Sequence, residues 1–259
     1  MRLGCSRCQG RYTGSSAELF KSGGIVYSKG SCVMADITRR ELLYKVSMFG
    51  SLMATGGAVF AAESKTENKN AKPTVLENIG RQHGLVFCIL LVYATAAKQL
   101  QEKKETDFAA LSDTRDLVRE YMEQFHNDLS EEKYAMVWLD KANVLTAEVA
   151  ELRKQHTVSR QLTDRLGVAI KNKQAQEAAT TIGQFINMYL GHAAWENGIV
   201  FPPVKKFVSE AQYIELGERL LEEEDKLFGK GGLEVVYDRV ANLMRRFGIF
   251  DLSAFTAKL

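Results

Sequence analysis

His192 and Glu196 lie one helical turn apart in the stretch Tyr189–Pro203, YLGHAAWENGIVFPP. At helical spacing they share a face with Ile182, Phe185, Ile186, Tyr189, Ile199 and Val200, so both aim into an apolar interior. A histidine and a carboxylate buried together are costly unless something inside compensates them, and a metal ion does so. The other three histidines of the chain are His83, His126 and His156. Each falls on the apolar stripe of a different predicted helix: His83 with Ile79, Val86 and Leu90, His126 with Met122, Phe125 and Leu129, His156 with Val149, Leu152 and Leu166.

The elements that would bring these side chains together follow from the spacing. In an antiparallel helical hairpin, two residues are level when the turn falls midway between them. The midpoints between successive histidines fall near Lys104–Glu105, at Lys141 and at Gln174, inside the polar breaks QEKKETD, DKAN and KNKQAQ. An up-down-up-down four-helix bundle therefore sets all four imidazoles at one level. The chain is expected to be all-α, with this bundle over 74–207 and two extra helices in a C-terminal extension, 208–259. With 259 residues and 46% hydrophobic content there is material for one sizeable domain plus appendages, and three prolines leave long uninterrupted helical patterns. A net charge of +2 and the lack of a basic stripe with interleaved aromatics set nucleic acid aside as a partner.

The front of the chain reads differently. From Met34, MADITRRELLYKVSMFGSLMATGGAVFAAESK carries paired arginines, Arg39 and Arg40, then a mild apolar run and a small-residue cleavage pattern at Val59 and Ala61. Residues 34–61 are thus expected to be an exported signal peptide of the twin-arginine type, with an uncleaved membrane anchor as the alternative. The mature protein then begins near Ala62, is periplasmic or otherwise exported, and touches a membrane only if the signal stays attached. Residues 1–33, with Cys5 and Cys8 in an uncompleted CSRC pair, read as an upstream extension, and 62–73 as a charged linker. Cys88 reads as a small buried hydrophobe.

Four segments, carrying RQHG, EQFHNDLSEEKY, LRKQHTVSR and GHAAWENGIVFPP in that order, resemble the hemerythrin-like family, whose members hold a non-haem di-iron centre inside a four-helix bundle. The resemblance spans about Val75 to Lys206. It implies two iron ions held by His83, His126, His156 and the pair His192 and Glu196, with a further bridging carboxylate from the second helix.

That second helix departs from the family pattern, which has a glutamate four residues after the histidine; here the position is Ser130. An unbroken α-helix would turn the next residue, Glu131, about 140° away from His126. Yet Tyr134, Val137 and Trp138 are in phase with Glu131, whereas residues up to Leu129 are in phase with His126. A single wide turn, a π-bulge, reconciles both and makes Glu131 the bridging ligand. Glu132 is the alternative, and a solvated acidic pair with no ligand role the plainer one. Oxygen-carrying members place two histidines one turn apart on the third helix; here Leu152 and Arg160 flank His156. The centre then has fewer protein ligands than the carriers.

Beyond Pro203, Ser209 and Gln212 form a capping-box pattern opening a fifth helix, and Leu233 to Phe247, stopped by Gly248, a sixth. These are expected to pack outside the bundle or to make a homodimer, with Glu222–Glu224 on a solvated face. The implied function is an exported di-iron protein that binds oxygen or a related small diatomic for sensing, storage or protection. A redox enzyme on the same centre, acting on peroxide, a nitrogen oxide or ferrous iron, is the alternative, and a bundle merely stabilised by metal a third. Manganese or a mixed centre suits the same ligands.

Overall fold

The computed structural model describes residues 73–257. The expected upstream extension, the signal peptide and the linker as far as Lys72 lie outside the described residues.

The first bundle helix, α1, runs over Val75–Gln101, and Thr74 caps it in a reciprocal capping box with Glu77. Asp107 caps α2, Phe108–Leu117, which passes without interruption into a π-helical segment, Val118–Met136, and then α3, Val137–Ala142; the three make one continuous second helix. The third is α4, Thr146–Lys171, and the fourth α5, Ala175–Trp195, which continues as a π turn over Glu196–Val200 and a 3-10 turn over Pro202–Lys206. Each of these helices packs on its chain neighbours and the fourth on the first, closing the bundle. The described residues form no strand.

The connections fall in the polar breaks. Lys103, Asn143 and Lys173 take left-handed backbone conformations there, closing the three hairpins. The second turn lies slightly beyond the expected Lys141, at Asn143–Leu145. Wide winding explains the shift: more residues per turn means less rise per residue, so the second helix uses extra residues to cover the same height.

The C-terminal extension supplies α6, Glu210–Phe228, opened by the Ser209–Gln212 capping box, and α7, Leu233–Arg246. Both pack on α1, and Leu233, Val236, Val240 and Leu243 of α7, with Phe247 just beyond its end, join the same core as Val86, Tyr93 and Phe125. Gly217 is where α6 crosses the start of α1: a Cβ there would lie 2.0 Å from the Pro73 carbonyl oxygen, and the Gly217 carbonyl accepts a hydrogen bond from the buried Asn78 amide at 2.9 Å. Arg246 at the end of α7 pairs with Asp107 and Asp113, clamping the extension to the start of α2. Among the described residues α1 alone is long and apolar enough to cross a bilayer, but it is a core helix of the bundle and carries Asn78, Gln82 and His83 fully buried. Cys88 is a free, half-buried thiol packed against the core.

Candidate metal centre

The level predicted from the histidine spacings is where four imidazoles and two carboxylates meet. His83, His126, His156, His192, Glu131 and Glu196 are each at most 2% exposed. They form two overlapping groups, His83, His126, Glu131 and Glu196 on one side and His156, His192, Glu131 and Glu196 on the other. The two glutamates are common to both.

Each carboxylate divides its oxygens between the two groups. Glu131 Oε1 lies 3.0 Å from His126 Nε2 and 3.4 Å from His83 Nε2, while its Oε2 lies 3.2 Å from His156 Nε2 and 3.8 Å from His192 Nε2. Glu196 places Oε2 3.4 Å from His83 Nε2 and Oε1 3.0 Å from His192 Nε2. Each group therefore offers two imidazole nitrogens and two carboxylate oxygens. Donors bound about 2.1 Å from a common ion are spaced about 3.0–3.4 Å apart, which is the spacing found for every pair given except Glu131 Oε2 and His192 Nε2, which are wider at 3.8 Å.

The wide winding of the second helix is what admits Glu131. With bonds from residue i to i+5, Glu131 comes round to the His126 side, and both Ser130 and Glu131 are fully buried. The irregularity is more extensive than the single bulge inferred from phase, spanning Val118–Met136, and it changes what lies beyond it. Tyr134, Ala135, Met136 and Leu139 are buried there, whereas Val137 and Trp138 are only half buried. A second π turn begins at Glu196, keeping Val200 inside and turning Ile199 outward to 44% exposure, contrary to its place in the expected stripe.

The outer nitrogens are all held. His83 Nδ1 donates to Asn197 Oδ1 at 3.0 Å, His126 Nδ1 to Gln82 Oε1 at 2.8 Å, His156 Nδ1 to Glu132 Oε1 at 2.6 Å and His192 Nδ1 to Gln155 Oε1 at 2.9 Å. These acceptors require the proton on Nδ1 and direct the Nε2 lone pair inward, the tautomer a metal-binding histidine needs. Every orienting residue adjoins a member of the cluster on its own helix: Gln82 beside His83, Glu132 beside Glu131, Gln155 beside His156, Asn197 beside Glu196. A neighbour in sequence points about 100° round the helix, toward the next helix of the bundle. The four bonds therefore run first helix to second, second to third, third to fourth and fourth back to first. Sequence reasoning passed over Gln82, Gln155 and Asn197; the signal was a polar residue adjoining a cluster residue on every helix.

Glu132 is corrected by the same geometry. It neither enters the cluster nor stands as a solvated carboxylate, but supports His156. Glu132→Gln is expected to weaken metal binding at least tenfold, since a neutral amide polarises the imidazole less than a carboxylate. Competition with a chromophoric chelator measures this; wild-type affinity would return Glu132 to a surface role.

Burial works against charge on each imidazole. The carboxylates of Glu131 and Glu196 outweigh it at His83, raised to about 9, and at His192, raised to about 10. His156 is raised as well, under the same opposing burial, by Glu131 and Glu132, whereas at His126 burial prevails and the pKa falls. Burial pulls Glu131 toward neutrality, yet His126, His156 and His192 hold its carboxyl well below the usual range.

Cation binding fits these side chains on two observations. His83 Nε2, His126 Nε2 and all four oxygens of Glu131 and Glu196 are buried without a hydrogen-bond partner, a concentration of orphaned polar atoms that native interiors do not otherwise carry. His156 Nε2 and His192 Nε2 face each other at 3.2 Å, an arrangement of two lone pairs that needs a proton or a cation between them. The chain belongs to the hemerythrin family: the model of the hemerythrin HHE cation-binding domain matches residues 74–204. Its relatives include proteins named only as uncharacterized, Rv1995 and MT2051 of Mycobacterium tuberculosis strains and Mb2018 of Mycobacterium bovis. Each is 34% identical over 197 residues, covering 74% of this chain and 77% of the relative. No solved structure matches the chain. Family and buried cluster together make this a metal-binding, hemerythrin-like helical bundle.

Proposed function

We propose that the cluster holds two iron ions and that the protein, exported behind its twin-arginine-type signal, binds oxygen or a related small diatomic for sensing, storage or protection. The observation that carries this is the division of Glu131 and Glu196, each giving one oxygen to each histidine pair. Imidazole and carboxylate are suitable donors for first-row iron, and shared carboxylates hold two ions together. When bound, such a pair of ions supplies redox-active open positions for a small ligand. Of the chain's own groups, His83 and His126 would hold one ion and His156 and His192 the other, while the outer ring keeps their tautomers fixed. Ile79 and Val86 on α1 and Val200 beyond Glu196 are buried around the site and keep bulk water from it.

The redox-enzyme reading draws on a different feature. The Tyr189 ring lies 5.3 Å from His192, and its hydroxyl accepts from the Asn127 amide at 2.7 Å and adjoins Ser159 Oγ. Ser159 and Thr163 donate to the buried Glu123 carboxylate, which pairs with Arg119, itself bonded to the exposed Asp164. This polar chain connects the edge of the cluster with the surface, as supply of protons or electrons would require. Anaerobically reduced, iron-loaded protein is expected to gain near-ultraviolet absorption on exposure to air. Reversal on deoxygenation supports binding, sustained consumption of a reductant supports turnover, and an unchanged spectrum refutes both.

A further inference from the structure

Glu224 lies on α6, in the extension beyond the family-matched residues, and the expectation that it is solvated does not hold: it is 2% exposed. Glu222 beside it is exposed. The chain closes over Glu224 at Gly232, whose φ of +48° and missing side chain permit the approach; a Cβ there would lie 3.1 Å from Glu224 Cβ and 3.4 Å from its Oε2. The Leu233 backbone N–H, the Gln82 side chain and Arg81 all favour the charged carboxylate, while its Oε1 is buried without a hydrogen-bond partner.

Gln82 faces both ways. Its Oε1 accepts from His126 Nδ1, so its amide nitrogen must point elsewhere, and that nitrogen too is buried without a partner in normal hydrogen-bond geometry. Gln82 is fully buried, whereas Glu132, Gln155 and Asn197, the other three residues that hold outer imidazole nitrogens, are each partly exposed. Water can complete those three. Gln82 has no such opening of its own, and the acceptor its side chain favours in the charged form is Glu224, whose Oε1 is likewise unpartnered.

We infer that Glu224 is a positioning residue for the metal centre, a carboxylate supplied by the C-terminal extension that orients and polarises His126 through the Gln82 side chain. The inference rests on the reading of the cluster as a metal centre. The polarity such a chain requires is available throughout: a carboxylate oxygen to accept from the amide N–H, an amide oxygen that accepts from His126 Nδ1–H, and an imidazole Nε2 left for a metal ion. It is also open to solvent protons, because a surface pocket lined by Arg81, Leu221, Asp225, Lys230 and Glu234 reaches Glu224. Burial raises the Glu224 carboxyl to about 7, against Arg81 of α1 and with Asp225 of its own helix; Tyr121 of the second helix also adjoins it.

The probe is cobalt(II), bound in competition with a chelator by the full protein and by Glu224→Gln at pH 8 and at pH 6. Above the Glu224 midpoint the variant lacks a charge that the wild type has, and its affinity is expected to be about tenfold weaker, the lower end of what lost outer hydrogen bonds cost a metal site. Below the midpoint both are neutral and their affinities are expected to coincide. Equal affinity at both pH values overturns the inference, as does equal loss at both, the mark of a merely structural role. Wild-type protein that takes up no cobalt refutes the metal centre itself, a separate failure. Should the variant not fold, the wild type answers through its zinc-loaded form. There the His126 Nδ1–H proton resonance is expected to titrate with Glu224 while the other three histidines stay fixed, and a stationary His126 resonance overturns the inference.

Discussion

On the proposed two-ion reading, replacing Glu131 with glutamine is expected to remove both ions. Glu131 belongs to each of the two groups, with Oε1 toward His83 and His126 and Oε2 toward His156 and His192. A neutral amide keeps the shape but offers one carbonyl oxygen, and turns N–H toward a lone pair or an ion on the other side. The expected loss is on the order of 100-fold or more in affinity, beyond what outer partners cause, because the substitution would take away a direct donor together with half of the carboxylate charge shared by the two groups. Elemental analysis after anaerobic loading and desalting is expected to show less than one ion per chain. Retention of two would remove Glu131 from the centre. The same analysis on His192→Ala is expected to show a smaller deficit, since His192 serves one group only.

Metal removal is expected to lower the melting temperature by a margin that grows with pH. In metal-free protein, His83 and His192 have folded-state pKa values raised to about 9 and about 10, so the unfolded chain releases their protons first. The stability they contribute is complete below the ordinary histidine pKa of about 6.5 and is lost as pH rises toward 9 and 10. Metal competes with those same protons, so binding strengthens over the window in which the metal-free protein weakens. A single ion at 100 times its dissociation constant adds about 2.7 kcal/mol, or about 5–10 °C for a domain of this size. Calorimetry of chelator-treated and reloaded protein between pH 6.5 and 9 measures the difference. A gap that narrows with rising pH would contradict the assignment of these histidines.

The helical architecture was legible because its signals are local and periodic. Apolar stripes at helical spacing, the Ser209–Gln212 cap and the polar breaks each name an element, and a shared level for His83, His126, His156 and His192 follows from the turns. The departure at Ser130 was informative for the same reason, since a slip in phase reports a change in winding. The extent of that winding was not legible, and so Val137, Trp138 and Ile199 were given to the interior. Gln82, Gln155 and Asn197 escaped notice, and Glu132 was read as a ligand or a solvated group rather than a support, because each lies at the margin of a stripe, where polar residues ordinarily mark the approach to solvent. Glu224 was beyond reach for another reason: its burial depends on α6 lying against α1 and on the chain turning back at Gly232, contacts that no local pattern announces.

The most direct test of the central claim is an anaerobic ferrous titration of the metal-free protein, with bound iron counted per chain. Two shared carboxylates and two histidine pairs predict saturation at two ions per chain in the wild type and a collapse of that capacity in Glu131→Gln. Saturation at one ion, or iron bound equally well by the variant, would contradict a dinuclear centre bridged by Glu131 and Glu196.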